Sequence, residues 1–151
     1  MRDEQPLAPQ AACVDRVHET FDELVDSDVD AIGVFTPPWA HAEQSIRALE
    51  MGKAVICACP AALTLDELRR LVDAVERTGR IYMTCETSHR FLADEFVRAV
   101  AADARPHNHV WIAARYCAPG IVAYDSFSKG SEWLEVPDFG SPVDRRKELG
   151  C

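Results

Sequence analysis

Thiols, one histidine and a carboxylate supply the groups with chemical reach in this chain, beginning with Cys57 and Cys59, one residue apart, and Cys85 further on. Two cysteines at that spacing share one face of an extended strand. With Cys85 on a neighbouring strand they suggest a soft-metal site. Zinc patterns, however, use C-x-x-C pairs or suitably spaced histidines, and neither is present, so no metal is expected and buried cysteine acting as a small hydrophobe is the simpler reading. A thiol is mostly neutral near pH 7 unless its environment favours the thiolate, so Cys59 as a nucleophile is the sharper alternative. His41 sits one turn into a predicted helix, where it either touches a ligand or caps and packs. Thr36-Pro37-Pro38 either lines a ligand edge or ends a strand and starts a helix, since proline suits a first turn. Glu86 follows a predicted strand, as a ligand contact or a solvated carboxylate. His107-Asn108-His109 reads as a turn or strand entry.

The elements that would position these groups alternate in type. Thr20-Phe21-Asp22-Glu23 has capping-box form and starts a short helix over 21–25. Ala31 to Phe35 is continuously apolar, as expected of a strand covered on both faces, and it stops at Thr36-Pro37-Pro38. A helix is predicted over 40–51, with Ile46 and Leu49 toward the sheet, a Glu43/Arg47 pair at i,i+4 and Gly52 after its end. The next strand is 53–58. Thr64-Leu65-Asp66-Glu67 is a second capping box, and Leu65, Leu68, Leu71, Val72 and Val75 form one apolar stripe ending before Gly79. A third strand over 81–85 precedes a helix over 91–102 with Leu92, Phe96, Val97 and Val100 inward. Residues 14–17 form a candidate short strand, and 110–116 a further candidate strand. Proline and glycine recur from 118 onward, predicting loops. No internal repeat is apparent.

The run from Val29 to Glu43, Gly52-Lys53-Ala54-Val55-Ile56-Cys57-Ala58-Cys59-Pro60 and Ala62-Leu63-Thr64 together resemble the glucose-fructose oxidoreductase / inositol dehydrogenase (Gfo/Idh/MocA) family. The likeness spans about residues 14 to 90; further along, Glu86-Thr87-Ser88 and Trp133-Leu134-Glu135 suggest a branch of it. It implies an α/β fold: an incomplete Rossmann-like parallel sheet over 1–88, then the start of an α+β C-terminal domain over 89–151. It also implies NAD or NADP as cofactor, and hydride transfer on a sugar- or cyclitol-like alcohol. The cofactor edge implied by the resemblance is Thr36, Pro37, Pro38, His41, Ala58, Cys59, Pro60 and Glu86. Family members carry Glu-Lys-Pro where this chain has Ala58-Cys59-Pro60, so the lysine that commonly assists proton transfer is replaced by Cys59, and no catalytic residue is intact.

The family also opens with a strand and a glycine-rich turn that hold the cofactor pyrophosphate. The seven glycines here, at 33, 52, 79, 120, 130, 140 and 150, contain no G-x-G. Without that opening the strand at 31–35 becomes an apolar sheet edge, which invites pairing with another chain or a second copy. Two readings therefore stand: an oxidoreductase whose opening half is supplied elsewhere, or a non-catalytic truncated remnant or partner-dependent binding subunit. Activity of the chain alone is not expected. The 151 residues allow one domain plus part of another, and the net charge of −9 argues against a phosphate-backbone partner. Neither a signal peptide nor a transmembrane span is evident, and the six scattered cysteines suit reduced thiols, so a cytoplasmic location is expected.

Overall fold

A computed structural model describes residues 15–85 and 92–142. Its elements are α1 (Phe21–Val25), β1 (Ala31–Val34), α2 (Pro38–Glu50), β2 (Ala54–Ala58), α3 (Leu65–Thr78), β3 (Tyr82–Cys85), α4 (Leu92–Ala101) and α5 (Val110–Ser128). The strands form one parallel sheet in the order β1-β2-β3, with Ala31 opposite Ala54 and Val55 opposite Tyr82. Parallel neighbours need a crossover, and α2 and α3 supply the two.

Local chemistry explains the helix boundaries. The Thr20 hydroxyl accepts from the Glu23 amide at 3.2 Å, starting α1. Pro38 opens α2, where its missing N–H costs nothing. The box at α3 is complete: Thr64 Oγ1 accepts from Glu67 N at 3.1 Å, and Glu67 Oε2 accepts from Thr64 N at 3.0 Å. Gly79 ends α3 at φ 62°, a left-handed position that costs a Cβ-bearing residue steric strain.

The sheet has a thick side and a thin side. Ile32 and Val34 of β1, Val55 and Cys57 of β2 and Tyr82 of β3 share a large core with α2, α3 and α5. Alternation sends Ala54 and Met83 to the other face, where Phe96 of α4 covers them beside the half-buried Ala31, Ile56 and Val100. Toward β1 that cover runs out, so Gly33 is exposed and Phe35 is 65% exposed. The Phe35 ring folds back over Gly33, 2.9 Å from where a Cβ would stand.

The structure revises several expectations. Residues 15–17 carry no strand, and residue 14 lies outside the described set. Segment 110–116 is helical, not a strand, and the loops expected from 118 begin only after Ser128. The reason is visible in the packing. Asn108 O accepts from Thr84 N at 2.7 Å and His109 bridges to Met83, so the chain touches the β3 edge for a single bridge before turning. Val110, Trp111, Ala113, Ala114 and Ala118 then bury in the same core as α3, a set that only helical spacing brings to one face. Pro119 lies inside this helix, where it cannot donate to Arg115 O. In α4, Val97 is 64% exposed and Glu95 takes the inward position beside Phe96. The expected Glu43/Arg47 pair does not form; Glu43 accepts from Arg70 of α3 at 2.8 Å, and Arg47 lies 3.9 Å from Asp26.

Candidate functional site

The carboxyl ends of the three strands meet at one edge, where ligands bind in open parallel sheets. Thr36, Pro37 and Pro38 follow β1 after Phe35, Ala58 ends β2, and Cys59 and Pro60 come next. Glu86 lies outside the described residues. Pro37 caps α2 without a side-chain bond, and the Thr36 hydroxyl donates to Gln44 Oε1 at 2.6 Å.

His41 joins two of these loops. It is 1% exposed, with Nδ1 at 2.8 Å from Pro60 O and Nε2 at 2.6 Å from Thr36 O. Its ring is thus committed to backbone carbonyls of both loops, which makes it a positioning residue. At Cys59, which is exposed, Sγ lies 3.4 Å from Thr84 Oγ1 at the end of β3. The edge is therefore tied across all three strands, through Thr36, His41, Pro60, Cys59 and Thr84.

β2 ends at Ala58, so Cys59 stands beyond the strand that carries Cys57, and Cys85 pairs beside Ala58 on the other face of the sheet. Cys85 lies two residues beyond Met83 on the α4 side, whereas Cys57 belongs to the core on the opposite side. Among the described residues, no group of three His, Cys, Asp or Glu side chains is placed to hold a metal ion. Burial pushes the Cys57 thiol up to about 11, with the Ser45 and Tyr82 hydroxyls pulling against that rise. Tyr82, fully buried beside Cys57, is raised well above the ordinary tyrosine range by the same burial. Cys57 is thus a neutral core thiol, and the accessible sulfur of the pair is Cys59.

His107-Asn108-His109 joins α4 to α5. Glu95 Oε1 accepts from His107 N at 2.6 Å and lies 2.8 Å from its Nδ1, while His109 caps α5. These contacts hold the link rather than open a site.

A groove of about 630 Å³ runs between Cys59–Leu63 and α5, lined by Cys59, Pro60, Leu63, Tyr116, Cys117 and Tyr124. Among the described residues, none that lines it is charged. A strand over 110–116, as the sequence leads one to expect, would not form this wall. The spacing of Trp111, Ala114, Ala118 and Val122 carried the signal for a helix.

A pyrophosphate needs free backbone N–H groups or cationic side chains. The start of α2 offers prolines at 37 and 38, which have none to give. At the start of α3, the Glu67 carboxylate already accepts from Leu63 N at 2.8 Å and from Thr64 N. That carboxylate stands where an anion would sit and repels one. Among the described residues, then, this edge does not fit the phosphates of a dinucleotide.

The parallel sheet and its tied strand ends define an α/β nucleotide-binding-type half-domain. More particularly, the chain belongs to the Gfo/Idh/MocA family: the family model for the oxidoreductase family with an NAD-binding Rossmann fold matches residues 3–86. It is 41% identical over 68 residues to an uncharacterized oxidoreductase of Rhizobium meliloti, covering 44% of this chain and 20% of that protein. It is 36% identical over 87 residues to the 1,5-anhydro-D-fructose reductase of Ensifer adhaerens, covering 57% of this chain and 26% of that one. Among solved structures it is similar to an NAD-binding protein from Listeria innocua, at 31% identity and a TM-score of 0.44, covering 46% of this chain and 20% of that chain. The matched segments thus span about a fifth to a quarter of these relatives. No helix among the described residues is long and apolar enough to cross a membrane.

Proposed function

We propose that this chain provides the substrate-side portion of a nicotinamide-dependent oxidoreductase site and that it does not hold the cofactor alone. The activity it would serve is the one the family resemblance implies: hydride transfer, with NAD or NADP, at a secondary alcohol carbon of a sugar- or cyclitol-like substrate. The similarity to a 1,5-anhydro-D-fructose reductase supports that substrate class. The observation that carries the reading is the tied carboxyl edge. Thr36, Pro37, Pro38, Ala58, Cys59 and Pro60 stand together where the resemblance puts the nicotinamide side, while the Glu67 carboxylate occupies the capped start of α3. The phosphate-binding part would come from outside the described residues. Cys59 supplies no cation at the family's lysine position, so the proton step belongs to another group.

Titration of the folded chain with NADH and with NADPH, followed by nicotinamide fluorescence and checked by circular dichroism, tests this. Neither cofactor should saturate the chain alone. Saturable binding by a folded monomer would overturn the proposal, because it would show the strand ends holding a dinucleotide unaided.

A second reading, a partner-dependent binding subunit without catalysis, is favoured by the edge of β1. Ala54 N donates to Asp30 O at 2.9 Å. In a parallel ladder alternate residues face one neighbour, so Ala31 and Gly33 turn their backbone groups the other way. Among the described residues no strand pairs with that side. A strand from a partner or a second copy would satisfy those groups.

A further inference from the structure

We infer that the groove lined by Cys59, Leu63 and α5 takes a flat, uncharged aryl ring, the aglycone of a glycoside whose sugar lies at the strand-end edge. This rests on the substrate-side role proposed above and narrows its substrate class to aryl glycosides.

The groove opens from that edge. Cys59 and Pro60 belong to both, since they follow β2 and also line the groove. A ligand held at one therefore continues into the other. At about 630 Å³ the groove has room for a ring and its linkage.

Helix α5 supplies the far wall. Tyr116, Gly120 and Tyr124 recur every four residues, so they lie near one face of the helix, and all three line the groove. The two tyrosines stand about 12 Å apart along the axis at the ordinary helical rise. Between them a Cβ on Gly120 would meet nothing within 4 Å, so the wall is open from one ring to the other. Both rings are exposed, as is Leu63 on the facing loop. Aromatic faces left open in this way stack on a flat ring or meet its edge.

The lining selects among ligands. Among the described residues it carries no charge, so a phosphate or carboxylate entering the groove would give up its water and meet no cation. A bare polyol fares little better. Its hydroxyls need partners, and the side chains offer two phenols and the thiols of Cys59 and Cys117, of which sulfur bonds weakly. The Pro60 carbonyl oxygen is already engaged, 2.8 Å from His41 Nδ1. An aryl ring asks for no such partners and gains from leaving water. The sugar hydroxyls then stay at the edge, outside the apolar wall.

Amide spectra of the full, isotope-labelled chain, recorded without any nicotinamide, test this. Phenyl β-D-glucopyranoside or phenyl β-D-galactopyranoside should shift the Leu63 and Gly120 amides saturably. Methyl glucoside, a glucose phosphate and phenol should each bind about tenfold more weakly or worse. Gly120→Leu fills the open wall and should abolish the shifts while leaving the circular dichroism spectrum unchanged, and Tyr124→Ser should weaken binding about tenfold. Should Gly120→Leu fail to fold, Tyr124→Ser, at an exposed position, decides. No saturation by either phenyl glycoside, equal binding of methyl glucoside or phenol, or binding that survives the substitutions would overturn the proposal. No nicotinamide enters these titrations, so their failure is distinguishable from saturation by NADH or NADPH, which would sink the substrate-side role instead.

Discussion

Cys57 and Cys59 show how two identical side chains one residue apart acquire different chemistry. Cys57 points into the core and is 0% exposed, whereas Cys59 stands at the open carboxyl edge. Brief treatment of the folded chain with a maleimide at neutral pH should label Cys59 and spare Cys57, as read by fragment-ion mapping of the peptide that holds both. Equal labelling would disprove the buried placement. Cys57 also predicts an alkaline limit to stability. Its thiol ionises near 9 when unfolded and near 11 when folded. Its contribution is therefore complete below pH 9 and is lost as pH rises through 11, because the unfolded chain gives up its proton first. Two units correspond to roughly 3 kcal/mol. The buried Tyr82 hydroxyl, raised in the same direction, adds to the loss. Urea midpoints measured across that window should fall, and Cys57→Ala should flatten the fall. A midpoint indifferent to pH would contradict a buried neutral thiol.

Among the elements, α3 is the best specified, since stripe, capping box and C-terminal glycine agree on the same boundaries. Burial of Leu68, Leu71, Val72 and Val75 contributes roughly 1.5–3 kcal/mol each. Thr64→Ala removes the acceptor for Glu67 N and should cost about 1 kcal/mol by chemical denaturation. Helix α5 depends instead on its packing. Trp111 is 2% exposed in the core, so Trp111→Ala should cost about 3–5 kcal/mol. Its indole N–H is buried without a partner among the described residues, so Trp111→Phe should be much milder. Equal losses in the two variants would show that the indole nitrogen carries a bond.

Across the whole molecule, the unequal cover of the sheet governs behaviour. Among the described residues, α1, α2, α3 and α5 share the core on one face while α4 alone packs on the other, and β1 faces outward at its edge and along part of its thin side. Such an edge associates unless charge blocks it. Sedimentation velocity over rising concentration should reveal self-association, and Phe35→Lys should reduce it without changing the circular dichroism spectrum. A monomer at every concentration would show that the edge is silent in solution.

The α/β order, both capping boxes, the three strands and the two loops of the candidate edge were legible in the sequence, because periodicity, caps and proline act within a few residues of one another. The same local logic misread 110–116, where alternating and helical patterns both fit a short apolar run and only the α3 surface chose between them. It also paired Glu43 with Arg47, although Arg70 on the neighbouring helix reaches that carboxylate. His41 was visible as a candidate, but its commitment to Thr36 O and Pro60 O depends on a contact across 19 residues of chain. Cys85 was likewise visible, yet its separation from Cys57 follows from the pleat of the assembled sheet. The sequence by itself determined which segments become helix or strand and which residues stand at their ends. Only the tertiary structure decided which of those end residues face one another, because that depends on surfaces brought together from distant parts of the chain.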